Sequence, residues 1–281
     1  WGFLNGGKST IVSFSGAFHG RTFGSLSATS PKKYRYGFYP LTPGFKSVTF
    51  NDIDKLETLV KKDKKIAAII VEPIQGEAGV KFSNKGFLKK IESICKTYNI
   101  LFIVDEVQVG IGRTGKTFCH EHYNISPDII TLAKALGGGL PCGAMLVNPR
   151  FSDFLTPGSH GTTMGGNPLS MAAGKASFKQ ISKATFLSSV EKKGKFFLKK
   201  LKKIQNNHMI KEVRGLGLIL AIEFNSDSQA RKFCSYCLKM GLLVILTEKY
   251  NVRILPPLNV KIKEINEAMK IFLGALEQTY D

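Results

Sequence analysis

Ala67-Ala-Ile-Ile-Val71 and Ile100-Leu-Phe-Ile-Val104 are apolar at every position. A strand with one wet face alternates, whereas a strand that is apolar throughout is covered on both faces, the condition of a central strand in a parallel sheet. Between the two runs, Lys85 to Tyr98 places Phe87, Leu88, Ile91 and Ile94 at helical spacing. A crossover helix joining two parallel strands follows from that pattern. Further candidate strands are Thr10 to Phe14, Asp128 to Leu132 and Gly143 to Val147, which gives an α/β protein with a mainly parallel central sheet flanked by helices. After Pro168 the texture changes to long amphipathic helices, from about Leu169 to Ile204. A segment from Val213 to Phe224 with Arg214-Gly-Leu-Gly ahead of an apolar run, a helix from Asp227 to Met240, a strand from Leu242 to Leu246 and a last helix from Ile262 to Thr279 complete the chain. The expected organisation is a large domain over 1–171 and a smaller C-terminal α/β domain over 172–281.

Forty Lys and Arg against twenty-one Asp and Glu give a formal charge of +19. Taken alone this suggests an anionic partner. Much of the charge, however, lies in runs such as Lys61, Lys62, Lys64 and Lys65, or Lys199, Lys200, Lys202 and Lys203, spaced as solvated helix faces. No nucleic-acid partner is expected. No stretch approaches the roughly 18 consecutive apolar residues of a membrane span, so no membrane partner is expected either. Cys95, Cys119, Cys142, Cys234 and Cys237 form an odd, scattered set that fits reduced thiols. Cys234 and Cys237 lie inside a helical pattern with no second ligand pair, and His120 and His122 have a spacing foreign to familiar metal motifs, so no metal site is expected.

Two nucleotide motifs conflict with their surroundings. Gly2-Phe-Leu-Asn-Gly-Gly-Lys8-Ser9 spells the P-loop, and Ile103-Val-Asp-Glu106 resembles its magnesium-holding strand, which makes an ATPase a rival reading. A P-loop lysine and serine must open a helix. Thr10-Ile-Val-Ser-Phe is β-branched and alternating, hence a strand. Gly110-Ile-Gly-Arg-Thr-Gly115 spells a dinucleotide motif, yet Lys116-Thr-Phe-Cys-His-Glu-His122 lacks a helical face to pack on a sheet, so a glycine-rich turn is expected.

The segment Asp128-Ile-Ile-Thr-Leu-Ala-Lys134-Ala-Leu-Gly-Gly-Gly139 is a strand ending in one lysine and a run of glycines. An amine among apolar neighbours is desolvated, its pKa falls, and the neutral form attacks an aldehyde to give a Schiff base. Asp105 closes another central strand, at the carboxyl edge where open α/β sheets bind ligands. A buried carboxylate there needs a cationic partner, and a protonated pyridine nitrogen is one.

These residues fall within six blocks: Gly16-Ala-Phe-His-Gly-Arg-Thr22, Val71-Glu-Pro-Ile-Gln-Gly-Glu77, Val104-Asp-Glu-Val-Gln108, Gly110 to Gly115, Ala133-Lys-Ala-Leu-Gly-Gly-Gly139 and His160-Gly-Thr-Thr-Met-Gly-Gly-Asn-Pro168. In type and order they resemble the class III pyridoxal-phosphate aminotransferases over nearly the whole chain. The resemblance implies the fold-type I architecture, with pyridoxal 5'-phosphate as cofactor. It implies that Lys134 links to the cofactor and then moves the substrate proton, while Asp105 keeps the ring nitrogen protonated. Phe18 and Val107 would flank the ring, Gln108 would lie near the ring oxygen, and Thr163 would reach the phosphate bound by a neighbouring subunit, making a homodimer with composite sites.

For substrates, the resemblance gives Arg21 the α-carboxylate. It makes Glu77 and Arg253 the pair that lets one pocket take first an acylated or cationic amine and then dicarboxylic 2-oxoglutarate. The implied reaction moves the δ-amino group of N-acetylornithine to 2-oxoglutarate in arginine biosynthesis, with the succinylated lysine-pathway analogue as a further donor. Ornithine and 4-aminobutyrate aminotransfer are alternatives within the family. Met164 departs from the aromatic usual there. The chain begins at Trp1, and the family's phosphate-binding turn lies upstream of the matched segment. The expectation is therefore an active full-length enzyme and weak cofactor binding by these 281 residues, with a cofactor-free remnant as the non-enzymatic alternative. The expected compartment is a bacterial cytoplasm, alternatively a mitochondrial matrix.

Overall fold

The computed structural model describes residues 1–248 and 250–279. The contacts divide the chain into two compact units: 1–75, 82–111 and 119–180 form the first, and 76–81, 112–118 and 181–281 the second. The boundary expected at 171/172 falls inside one continuous helix, Pro168–Ile181, and two short segments from earlier in the chain belong to the second unit.

The first unit is built on a six-stranded sheet: β1 (Thr10–Phe14), β2 (Phe45–Val48), β3 (Ile66–Val71), β4 (Leu101–Asp105), β5 (Ile129–Leu132) and β6 (Ala144–Val147). Their spatial order is β2-β1-β3-β4-β5-β6, parallel throughout except for antiparallel β6. The apolar runs are central, as their composition requires. Ile69 and Val71 of β3 lie beside Phe102 and Val104 of β4, all buried. The crossover helix Phe87–Tyr98 covers one face with Phe87, Leu88, Ile91 and Ile94, and ends on Asn99 in the left-handed conformation. Phe14, Phe50 and Phe87 meet edge to face with centroids 5.5–6.1 Å apart. Each such ring contributes about 1.5–3 kcal/mol through burial alone.

The second unit carries a four-stranded antiparallel sheet of β7 (Ile210–Leu216), β8 (Ile219–Phe224), β9 (Ile245–Leu246) and β10 (Asn251–Ile254), in the order β9-β10-β8-β7. Helices Ala184–Lys203, Asp227–Lys239 and Ile262–Thr279 supply Phe197, Leu201, Phe233 and Phe272 to its core. The segment from Val213 to Phe224 contributes to two strands, because Gly217, at φ +56°, turns the chain back on itself. The strand expected over Leu242 to Leu246 shrinks to its last two residues.

Candidate active site

The strand order doubles back at β1, whose neighbours are β2 on one side and β3 on the other. Connections leaving β1 and β3 therefore run to opposite sides at their carboxyl ends, the topological position at which open α/β sheets take ligands. The loop after β1 carries Phe18 and His19, the residue after β3 is Glu72, and β4 ends on Asp105.

Hydrogen bonds tie these loops together. Asp105 is buried; its Oδ1 accepts from the Val107 N–H at 3.0 Å, and its Oδ2 lies 2.7 Å from His19 Nδ1. Glu72 Oε2 accepts from the Phe18 N–H at 3.0 Å. Burial opposes charge on the His19 ring, but the hydrogen bond to Asp105 and the charges of Asp105 and Glu72 outweigh it, so the His19 pKa is raised. Burial pushes Glu72 up to about 7, with Asp105 adding repulsion and His19, the Phe18 N–H and Lys134 partly offsetting it. His19 and Glu72 received no role from the sequence. Both stand inside the matched blocks, and the available signal is a polar residue where the chain leaves a buried strand.

Lys134 lies two residues beyond the end of β5 and opens a short 3-10 turn, Lys134–Gly137. Its φ of +50° is a strained value for a side chain of this size, and such strain gathers at functional positions. The turn is held by Leu136 N–H to the Ala133 carbonyl and by the Ser177 hydroxyl donating to the Ala135 carbonyl. The sequence places this lysine among desolvating apolar neighbours. Instead it is exposed, because the turn lifts it past the end of the strand.

The Phe18 ring meets Tyr34 edge to face at 5.1 Å, and the exposed Arg21 guanidinium lies over both rings, 5.3 Å from Phe18 and 4.5 Å from Tyr34. Cation–π contact holds this arginine at the mouth of the β1 loop. Val107 and Gln108 are half-buried in the turn after Asp105. Thr163 is exposed on the glycine-rich segment ahead of the helix Pro168–Ile181 and stands outside this hydrogen-bonded cluster.

Glu77 and Arg253 belong to the second unit. Arg253 Nη1 donates to Glu77 Oε1 at 2.7 Å, with side-chain exposures of 7% for the arginine and 22% for the glutamate. That burial removes the pair from the class of solvated surface bridges worth at most about 1 kcal/mol.

The ATPase reading fails on geometry. Ser9 leads directly into β1, and Lys8 Nζ donates to the Tyr98 and Asn99 carbonyls at the end of the Phe87–Tyr98 helix. Gly110 to Gly115 likewise forms turns, with Gly115 N–H bonded to the Gly112 carbonyl. Of the paired cysteines, Cys237 is fully buried, and burial pushes Cys234 up to about 11 and Cys237 up to about 12.

The family model described as Aminotransferase class-III matches residues 4–276. The chain belongs to the class-III aminotransferase family. It is 45% identical over 273 residues to the acetylornithine aminotransferase of Methanocaldococcus jannaschii, covering 96% of this chain and 66% of that protein. Among solved structures, the ornithine aminotransferase of Toxoplasma gondii superimposes with a TM-score of 0.91 at 32% identity, over 97% of this chain and 66% of that one. The N-acetylornithine aminotransferase of Stenotrophomonas maltophilia gives a TM-score of 0.82 at 31% identity, over 99% of this chain and 69% of that one. The chain thus spans about two thirds of the length of the relatives it matches. The class-III aminotransferase has the fold-type I architecture of these neighbours, with its large-domain sheet and a smaller unit both present.

Proposed function

We propose that the protein containing this chain is a pyridoxal 5'-phosphate-dependent aminotransferase that moves the δ-amino group of N-acetylornithine to 2-oxoglutarate, a step of arginine biosynthesis. The observation that carries the reading is Asp105: a buried carboxylate at the carboxyl edge of the sheet, fixed by His19 and the Val107 N–H, with a primary amine, Lys134, close enough for its charge to act on Glu72 in the same cluster. The donor set fits the cofactor. Two hydrogen bonds leave Asp105 with lone pairs for a protonated ring nitrogen, and the exposed Lys134 is accessible to an aldehyde. Asp105, Lys134, Phe18, Val107 and Gln108 would hold the cofactor, and Thr163 would hold its phosphate in a second copy.

Bound there, pyridoxal phosphate supplies an electron sink for the carbanion at the substrate carbon. Asp105 keeps a proton on the ring nitrogen. Lys134 Nζ takes the proton from the substrate carbon and redelivers it. Arg21 offers a planar fork to the α-carboxylate. Glu77 covers Arg253 while the acylated amine is bound and releases it to the second carboxylate of 2-oxoglutarate.

Acetylornithine aminotransferases among the relatives support the donor. The likeness to an ornithine aminotransferase structure favours ornithine as the second reading. A homodimer is supported by Met145, Leu146, Leu155, Met164, Leu169 and Met171, all exposed along one stretch of the first unit. The cysteines, none in a disulfide among the described residues, suit a reducing compartment, cytoplasm or matrix. No helix among the described residues is long and apolar enough to cross a membrane.

The test is borohydride reduction of the full-length protein with pyridoxal phosphate, then peptide mapping, alongside turnover of N-acetylornithine, ornithine and 4-aminobutyrate. Label confined to Lys134 and preference for N-acetylornithine are expected. Scattered label overturns the cofactor site, and preference for another donor overturns the substrate.

A further inference from the structure

The segment 76–81 departs from the first unit in sequence but belongs to the second, and it carries Glu77. Its backbone is unusual. Gly79 has φ +92° and Val80, fully buried, has φ +54°, a left-handed value that a β-branched residue adopts only under constraint. The constraint is Arg214 on β7. Its Nε donates to the Gly79 carbonyl at 3.0 Å and the Val80 carbonyl at 3.2 Å, and its Nη2 donates to the Gly79 carbonyl at 2.6 Å. The rest of the fork engages Glu212 at 2.6 Å, Glu223 at 2.7 Å and the Asn251 side-chain oxygen.

Asn251 sits two residues before Arg253 on β10 and is pressed against the same turn: a Cβ on Gly79 would come within 2.4 Å of its side chain. The Glu248 N–H also donates to the Glu77 carbonyl at 3.3 Å. One half-buried guanidinium thus ties three adjacent strands, β7, β8 and β10, to the turn just beyond Glu77, while Glu77 itself reaches Arg253 on β10.

We propose that Arg214 is a positioning residue for substrate selection: by clamping the Gly79 and Val80 carbonyls to the sheet that carries Arg253, it fixes the backbone of Glu77, so that this carboxylate covers and uncovers Arg253 by side-chain rotation alone. This rests on the reading that Glu77 and Arg253 sort the acylated amine from the dicarboxylic oxo acid. Without the fork, Val80 relaxes from its left-handed conformation and Glu77 no longer returns reliably to Arg253. The uncovered arginine continues to accept the oxo acid, whereas the amine donor meets an unmasked cation.

The experiment compares the full-length protein with Arg214→Met, which keeps much of the stem, and Arg214→Lys, which keeps the charge without the fork. Amide exchange over 76–81 should accelerate at least about tenfold in both variants, as loss of a charge-assisted hydrogen bond implies, while β8 stays protected. The KM for N-acetylornithine should rise about tenfold relative to that for 2-oxoglutarate, with kcat changed much less. Unchanged exchange over 76–81, or equal movement of both KM values, overturns the proposal. If Arg214→Met fails to fold, Asn251→Ala, which removes one of the fork's acceptors, must show the same pattern in smaller measure or the proposal falls. Wild-type protein lacking transamination would overturn the functional reading instead, and the exchange result would still decide whether the clamp exists.

Discussion

His19 Nδ1 and Asp105 Oδ2 stand 2.7 Å apart although 86 positions separate them in sequence. The contact joins the loop after β1 to the end of β4, and Glu72 adds a second carboxyl to the same buried group. Glu72 and His19 both bind a proton more tightly in the folded chain than in the unfolded one. The stability this confers is complete below the unfolded pKa values and is lost as pH rises, for Glu72 between 4.5 and about 7, and for His19 from 6.5 upward.

Cofactor-free protein should therefore lose thermal stability between pH 5 and 8. Glu72→Gln keeps an acceptor for the Phe18 N–H but removes the titration. It should raise Tm relative to wild type by about 2–6 °C at pH 7.5 and by little at pH 5. Calorimetry at the two pH values decides this, and an equal difference at both would refute the assignment.

Lys8 provides the second prediction. Its ammonium caps the carbonyls of Tyr98 and Asn99 at a helix C-terminus, where a cation is favoured by about 0.3–1 kcal/mol. Lys8→Ala should cost about that amount in a urea titration and leave the protein as indifferent to magnesium-ATP as before. Magnesium-dependent ATP binding lost in the variant would revive the phosphate-loop reading.

Elements were legible in the sequence where burial and hydrophobicity agree. The strands β3 and β4 are apolar runs in a two-sided core, and β1 and β5 are short segments rich in β-branched residues, so pattern alone located them, to within a residue at each end. By contrast β2, Phe-Lys-Ser-Val, is an edge strand with two exposed residues, and β10, Asn-Val-Arg-Ile, buries an arginine and an asparagine against the usual rule. Neither pattern signals a strand. At the site, Asp105 and Lys134 were marked by lying at strand ends. Glu72 also follows a strand end, yet neither it nor His19 was assigned a role, because their partners lie far away in the sequence and only the fold brings them together.

Glu106 follows Asp105 directly, is fully buried, and accepts from the Cys119 N–H at 2.5 Å, the His120 N–H at 2.7 Å and His120 Nδ1 at 2.7 Å. Its own N–H donates to the Thr131 carbonyl, which prolongs the pairing of β4 with β5 past Asp105. Glu106→Gln points an amide donor at a site filled with donors. The variant should lose about 2–4 kcal/mol, the range for breaking a buried charge-assisted network, read as a lower urea midpoint with the m-value unchanged. A loss within about 0.5 kcal/mol, the range of surface changes, would mean the carboxylate is not the pin of this loop.

Glycines in helices ordinarily invite replacement, since Ala gains about 1 kcal/mol of helix propensity. Gly24, in the helix Phe23–Ala28, follows that rule: an added Cβ meets nothing within 4 Å. Gly194, in the helix Ala184–Lys203, breaks it. There a Cβ would stand 2.2 Å from the Gly217 carbonyl oxygen and 2.6 Å from its Cα, in the turn that joins β7 to β8. That turn cannot retreat, because Gly217 holds φ +56° and is itself crowded by the backbone of Arg113 and Thr114, the nearest atom 2.6 Å from its own ideal Cβ. Overpacking against backbone costs about 1–3 kcal/mol or more and outweighs the propensity gain. Gly24→Ala should therefore raise Tm slightly while Gly194→Ala lowers it by several degrees. If the two variants moved together, helix propensity rather than backbone contact would govern this packing.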